Sequence, residues 1–143
     1  MLHIILTLNL FSSFFLCGLI WTIQLVHYPT FHHIDKTRFS RHIAFHGFRI
    51  SLIVIPAMII ELVTSTALVL ISIPFFNFHF AGLIAVIAIW ITTFFVQVPL
   101  HNSLSQQRSK YLIRKLIRTN WLRTAFWTFK SLLGIAILFL LVP

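Results

Sequence analysis

The residues best suited to chemistry in this 143-residue chain are its histidines and one glutamate inside an apolar segment. His27 and His101 end two apolar segments, and His46 precedes another. Imidazole and carboxylate groups can ligate a transition metal, and two histidines on different helices can hold a haem. The same groups can act as acids and bases without a cofactor. A haem, a non-haem metal and no cofactor are therefore open alternatives. The predicted catalytic residues, which are also the metal-ligand candidates, are His27, His46, Glu61 and His101.

A second set of side chains is suited to binding a polar or anionic substrate. Arg49 precedes one apolar segment. Asn120, Arg123 and Lys130 share a helical face along another. At 1.5 Å per residue, Glu61 lies about 18 Å beyond Arg49, and Lys130 lies about 10 Å beyond Arg123. A carboxylate at that depth should be protonated, paired or metal-bound, so Lys130 is its best partner, either to fix helix register or within a site. The predicted substrate-binding residues are Arg49, Asn120, Arg123 and Lys130.

Several reaction classes lack their usual residues. The sequence has no glycine-rich phosphate loop, no pair of carboxylates for hydrolysis and no Ser–His–Asp pattern. Cys17 is its only cysteine, which excludes a disulfide framework. Two acidic residues against eleven Lys and Arg residues give a net charge of +9. Because that charge adjoins apolar segments, it indicates a membrane protein and not a nucleic-acid partner.

Four apolar segments must position these side chains, at residues 4–26, 50–73, 80–100 and 122–142. Each has about the 20 residues that cross a hydrocarbon core of roughly 30 Å. Hydrophobic residues make up 59% of the chain, which is more than a small soluble domain can bury. We therefore predict an all-α integral membrane four-helix bundle that forms a single domain over residues 1–143.

The positive charges predict the orientation of the bundle. All eleven Lys and Arg residues lie within residues 36–49 or 108–130. The positive-inside rule places the basic segments 27–49 and 101–121 in the cytoplasm, next to membrane lipid. Both termini and the 74–79 turn then face outward, so His3 and His79 should be exposed at the outer side.

Both basic segments are expected to contain helix. Asp35 is a candidate N-cap for a helix that continues into residues 50–73. Between residues 108 and 118, apolar residues recur at helical spacing and basic residues take the other positions. This pattern predicts a basic amphipathic helix at the lipid headgroups, either as an orientation anchor or as a lipid-binding element.

Polar residues also recur on one face of each apolar segment. Because polar groups that face lipid are costly, these faces should point at one another. They are richest at the cytoplasmic end, which predicts a polar pocket that opens there. Its predicted lining is His27, His46, Arg49, His101, Asn120 and Arg123. His27 and His101 are 74 positions apart, as are Arg49 and Arg123, so a duplicated two-helix hairpin is one hypothesis and chance is the other.

Several stretches resemble known membrane proteins: WTIQLVHYPTF (21–31), FHGFRIS (45–51), PAMIIEL (56–62), VQVPLHNSL (96–104) and TNWLRTAFW (119–127). Nearly the whole chain is similar to a family of small uncharacterised bacterial four-helix membrane proteins. It resembles more distantly the anthrone-oxygenase-like family, through the four-helix plan and Pro99, Asn102 and Leu104. Leu104 departs from that family's Pro-x-x-Asn-x-x-Leu spacing. The resemblance implies a four-helix fold in a bacterial inner membrane and oxygenation of a hydrophobic polycyclic substrate.

Three functional hypotheses follow. The first is a membrane oxidoreductase or oxygenase that acts on a hydrophobic substrate at the His-rich pocket. The second is a non-enzymatic protein that binds a lipid or a hydrophobic small molecule, or that serves as a partner subunit. The third is a small proton-coupled carrier that works as a homodimer, since four helices are few for transport.

Overall fold

A computed structural model describes residues 1–141 and shows four helices over that range. They are α1 (Leu2–Thr30), α2 (Lys36–Ile71), α3 (Phe76–Gln106) and α4 (Lys110–Leu141). Short connections join them, and the second contains a 3₁₀ turn at Ile73–Phe75. The prediction of an all-helical chain with four apolar helices is confirmed. The predicted end of the fourth segment, Val142, lies outside the described residues.

All four helices are long and apolar enough to cross a membrane. Large apolar side chains cover their outer surfaces, including Phe11 on α1, Phe95 on α3 and Phe139 on α4. A surface of this kind would aggregate in water but is solvated by lipid tails. These features are those of an integral membrane protein.

The helices form a ring in which each contacts two neighbours. α1 packs against α2 and α4, and α3 packs against the same two helices. The apolar core runs along the centre of this ring and includes Leu16, Ile43, Met58 and Ile89. Polar side chains therefore contact one another in the interior only where neighbouring helices carry them at the same height along the bundle axis.

α2 begins as the sequence predicts. Asp35 is its N-cap, and the carboxylate accepts hydrogen bonds from the side chain and the backbone N–H of Thr37. These hydrogen bonds hold the pKa of the exposed Asp35 carboxyl below its ordinary value, because they favour its charged form. The helix then continues for 36 residues, about 54 Å, well beyond the roughly 30 Å of a hydrocarbon core.

The basic amphipathic pattern of residues 108–118 is confirmed, but its position differs from the prediction. Ile113 and Leu116 are fully buried, whereas Arg114, Lys115 and Arg118 are exposed. This stretch is the first part of α4 and packs along the bundle, because its apolar stripe continues the core. It is therefore not a surface helix that precedes the fourth span.

His79 is a correction to the sequence analysis. His3 is exposed as predicted, but His79 is only 7% exposed. The predicted 74–79 turn is shorter in the structure, since α3 already begins at Phe76. One extra helical turn therefore carries His79 into the bundle, where its ring packs edge-on against Phe75.

Two π-helical segments interrupt α1 and α3, at Ile23–His27 and Thr93–Gln97. Each is followed two residues later by a proline, Pro29 or Pro99. Proline lacks a backbone N–H and its ring crowds the preceding turn, which favours a local widening of the helix. Each segment also carries a buried glutamine, so the irregular backbone directs polar side chains inward.

Candidate functional site

The predicted catalytic histidines meet where α1, α2 and α3 converge. His27, which ends the first π segment, stacks on His46 of α2 with 4.0 Å between ring centres. The ring centres of His46 and His101 of α3 are 5.8 Å apart, and those of His42 and His27 are 6.5 Å apart. The fully buried Phe31 packs edge-on against this group. The sequence prediction that these three helices bring their histidines together is consistent with this geometry.

The buried Tyr28 and the half-buried His101 form a hydrogen-bonded pair. The Tyr28 hydroxyl lies 3.0 Å from His101 Nε2. When the imidazole proton is on Nε2, the ring donates to Tyr28 and Nδ1 can accept a proton. Nδ1 of His101 has no hydrogen-bond partner within residues 1–141. In that tautomer the pair is arranged to take up a proton at a free nitrogen while the other nitrogen is held in place.

A cavity of about 250 Å³ lies beside this pair, between α2 and α3. Its polar end is lined by Tyr28, His101 and Arg123, and its other end reaches Met58 and Trp90. Most of the remaining lining is apolar. A pocket with an apolar body and a few convergent polar groups is the usual form of a small-molecule site.

The cavity opens toward the surface that would face lipid. Three of its lining residues, Ile55, Phe94 and Val98, are also exposed on the outside of the bundle. The lining of α2 extends from His46 to Met58, about 18 Å along the helix axis. The cavity is therefore elongated along the bundle and reachable from the side.

Arg123 brings a buried positive charge to the polar end of the cavity. It is 5% exposed, and its guanidinium carbon lies 5.0 Å from the ring centre of Trp127. Its Nη1 donates to Asn120 Oδ1 (3.2 Å), and Asn120 Nδ2 donates to Gln24 Oε1 (2.8 Å). Its Nε has no partner among the described residues. A guanidinium with a spare donor is suited to an anionic or carbonyl oxygen.

Two more polar atoms beside the cavity have no partner within the described part of the chain. Gln97 is 2% exposed, and its Nε2 donates to Thr119 Oγ1 (3.0 Å) while Oε1 is unpaired. Trp90 Nε1 is also buried and unpaired. Because buried polar atoms are almost always hydrogen-bonded, these groups indicate a place for a ligand or for ordered water.

Three of the four predicted substrate-binding residues do not line the cavity, and neither does the predicted lining residue His27. Asn120 is fully buried and accepts the hydrogen bond from Arg123 Nη1. Arg49 is exposed on α2, where its guanidinium lies over the Phe45 ring at 5.4 Å. The structure thus brings Arg123 to the histidines but leaves Arg49 at the surface, where its charge stays solvated.

Glu61 and Lys130 belong to a separate, closed cluster. Glu61 is 1% exposed and accepts hydrogen bonds from Ser13 Oγ (2.8 Å) and Trp127 Nε1 (3.0 Å). Lys130 Nζ donates to Ser13 Oγ (3.2 Å) and to Asn9 Oδ1 (2.7 Å). The two charged groups are therefore linked through the Ser13 hydroxyl and not by a direct hydrogen bond.

All four helices contribute to this closed cluster. Asn9 Nδ2 donates to Thr64 Oγ1 and Ser65 Oγ, both at 2.9 Å. Gly82 of α3 leaves room for the Lys130 stem, since a Cβ at that position would lie 3.0 Å from Lys130 Cδ. Neither Glu61 nor Lys130 lines the cavity.

The predicted catalytic set therefore divides into two parts. Glu61 lies 15 residues after His46 on α2, about 22 Å along the axis. Among residues 1–141, no group of three or more His, Cys, Asp or Glu side chains has the geometry of a metal site. His27, His46 and His101 meet, but they do so without the carboxylate that the metal hypothesis included.

Sequence reasoning did not identify several of the buried polar residues. Asn9 lies four residues before Ser13, so it extends the polar stripe of the first apolar segment and that spacing was a usable signal. Gln97 lines the cavity but was not among the residues predicted for the pocket. Thr64 and Ser65 carried no signal, because short hydroxyl side chains are common in membrane helices and usually bond their own backbone.

Comparison with protein-family models, curated proteins and solved structures found no match to this chain.

Proposed function

We propose that this chain is an integral membrane oxidoreductase that binds a hydrophobic ring compound in the cavity between α2 and α3. One observation carries the proposal. The Tyr28–His101 pair and the unpaired Nε of Arg123 stand together at one end of an otherwise apolar cavity. A proton acceptor beside a fixed positive charge is the arrangement that removes a proton and stabilises the anion formed.

The first step is deprotonation of the substrate. Arg123 holds an oxygen of the ring compound through its free Nε–H, and His101 accepts a proton from an O–H or an activated C–H at Nδ1. Tyr28 keeps the imidazole oriented through its hydrogen bond to Nε2. The negative charge that develops on the substrate oxygen is stabilised by the guanidinium, which burial protects from solvent screening.

The second step is oxidation of the anion. The resemblance to the anthrone-oxygenase-like family supports molecular oxygen as the oxidant. For an activated methylene group the balance is one methylene and one O₂ giving one carbonyl and one water. One oxygen atom enters the product, the other leaves in water, and the proton held by His101 is returned to that water.

The lateral opening supports a substrate that arrives from the bilayer. Ile55, Phe94 and Val98 surround an entrance on the lipid-facing surface. A hydrophobic ring dissolved in the membrane would enter there without crossing water. The basic residues that begin α2 and α4 support a cytoplasmic location for the polar end of the cavity, with both termini outside, in a bacterial inner membrane.

A duplicated hairpin remains part of this proposal. α1 and α3 each contain a π segment followed by a proline, and α2 and α4 begin 74 positions apart. The π segments themselves are 70 positions apart, so any duplication has since lost register between the paired helices.

Oxygen uptake by the purified protein tests the proposal. With anthrone as substrate, wild-type protein should consume oxygen, and His101→Gln or Arg123→Gln should slow the reaction by about 100-fold. His3→Gln and Arg118→Gln are matched controls, because both residues are exposed and outside the cavity. Uptake that is equal in wild type and His101→Gln would contradict the proposal.

A non-enzymatic hydrophobe-binding protein is the second candidate. The same cavity favours it, since an apolar pocket open to lipid binds a ligand whether or not it reacts. Saturable binding of ring compounds with no oxygen uptake under any condition would select this candidate.

A further inference from the structure

One residue joins the closed cluster to the cavity. The indole Nε1 of Trp127 donates to Glu61 Oε2, and the face of the same indole lies against the Arg123 guanidinium. Trp127 is 1% exposed and does not line the cavity. It therefore contacts both a residue of the closed cluster and the cationic residue of the candidate site.

Arg123 has few other restraints. Within the described residues its Nη1 donates to Asn120 Oδ1 at the long distance of 3.2 Å, and the guanidinium also interacts with the Tyr28 hydroxyl. The 5.0 Å separation from the Trp127 ring is within the range of a favourable cation–π contact. The plane of the indole, together with Asn120 and the Tyr28 hydroxyl, thus determines which way the remaining donors of the guanidinium point.

The plane of the indole is itself fixed by Glu61. The Nε1–Oε2 distance is 3.0 Å, and the other carboxylate oxygen is held by Ser13 at 2.8 Å. Because both of its oxygens are hydrogen-bonded, the Glu61 carboxyl is a fixed acceptor for the indole N–H. Rotation of the indole would break this bond in the buried interior of the bundle, which is costly.

We infer that Trp127 is a positioning residue for Arg123, that Glu61 orients Trp127, and that together they give the cavity its preference for an anionic ligand. The inference rests on the proposed function for the site of ligand binding. It assigns Glu61 a role that acts through two other side chains, without any contact with the substrate.

Two fluorescent probes of the same ring system test the inference: 9-anthracenecarboxylate, which is anionic, and 9-anthracenemethanol, which is neutral. The measured quantity is the ratio of their affinities, obtained from fluorescence anisotropy. Arg123→Gln should abolish the preference for the carboxylate. Trp127→Phe keeps an aromatic ring but removes the N–H, and it should lower the carboxylate affinity about fivefold while leaving the neutral probe unchanged.

Matched variants separate positioning from general stability. Trp21→Phe also removes an indole N–H that donates a 3.0 Å hydrogen bond, to Thr128, but Trp21 lies outside the cavity and should leave the ratio unchanged. Glu61→Gln keeps an acceptor for Trp127 and should retain most of the preference. A purely structural role would lower both affinities together in Trp127→Phe, and that result would overturn the inference.

A ligand-free measurement keeps the inference testable if neither probe binds. Thermal unfolding of Trp127→Phe, Arg123→Gln and the double variant forms a double-mutant cycle. If Trp127 positions Arg123, the double variant should lose less stability than the sum of the single losses. Additive losses would overturn the inference. Failure of wild type to bind either probe would instead count against the proposed function.

Discussion

At the scale of single residues, Arg123 and Lys130 are two buried cations on one helix that differ in their hydrogen bonding. They lie seven residues apart on α4, on the same face. The Lys130 ammonium is bonded to Asn9 and Ser13 inside the closed cluster. Arg123 keeps one donor free beside the cavity. Arg123 is therefore the cation suited to binding a ligand, because the hydrogen bonds of Lys130 are made to protein side chains.

Tyr28 offers the most selective test at this scale. Tyr28→Phe removes the hydroxyl that holds His101 Nε2 and that also interacts with the Arg123 guanidinium, so it should reduce oxygen uptake by about 100-fold. Tyr111→Phe is the matched control, since Tyr111 is the other tyrosine of the chain and is exposed. Equal rates in the two variants would remove Tyr28 from the mechanism.

Residue types and helical spacing predicted much of the site. The convergence of His27, His46 and His101 followed from their places at the ends of apolar segments, and Arg123 followed from the polar face of α4. The sequence analysis was wrong to group Glu61 with the histidines. Glu61 lies about 22 Å from His46 along α2, and that distance could have been calculated from the sequence. Arg49 was misplaced because a helical wheel gives no information about which of two neighbouring faces is buried.

At the scale of elements, the two π segments place polar side chains in the interior of the bundle. Gln24 lies in the first segment and bonds the Ile117 carbonyl (3.2 Å) as well as Asn120. Gln97 lies in the second and bonds Thr119. Prolines in the sequence marked both places, but a proline predicts only a disturbance of the helix and not its π geometry.

Gln24→Leu tests this role of the first π segment. The change leaves Asn120 and the Ile117 carbonyl without their buried partner and should destabilise the protein by about 1–3 kcal/mol. Thermal unfolding in detergent measures the effect. Gln107→Leu, at an exposed position, is the control and should have little effect. If both variants melt at the wild-type temperature, the glutamine does not hold α1 to α4.

At the scale of the whole molecule, hydropathy and charge predicted the four-helix architecture, since segments of that length and apolarity have few alternatives in a membrane. The helix ends were less predictable. α2 and α4 extend into the basic segments, because apolar residues there continue the core instead of lying on the lipid surface. His79 became buried for a related reason, the early start of α3.

Cysteine labelling of intact cells tests the orientation. In a Cys17→Ser background, a membrane-impermeant maleimide should label Asn77→Cys, which is exposed in the first turn of α3. It should label Gln107→Cys, exposed between α3 and α4, only after the cells are opened. The reverse pattern would place the histidine cluster and the polar end of the cavity at the outer face.

The central claim is that the cavity between α2 and α3 binds a hydrophobic ring compound and holds its anionic form beside Arg123. Quenching of Trp90, the tryptophan that lines the cavity, measures this most directly. Titration with 4-(4-bromophenyl)butanoate, whose bromine quenches indole on contact, should give saturable quenching in wild-type protein. The saturable component should disappear in Trp90→Phe and shift to higher concentration in Arg123→Gln. Quenching that never saturates, or that is the same in all three proteins, would contradict the account.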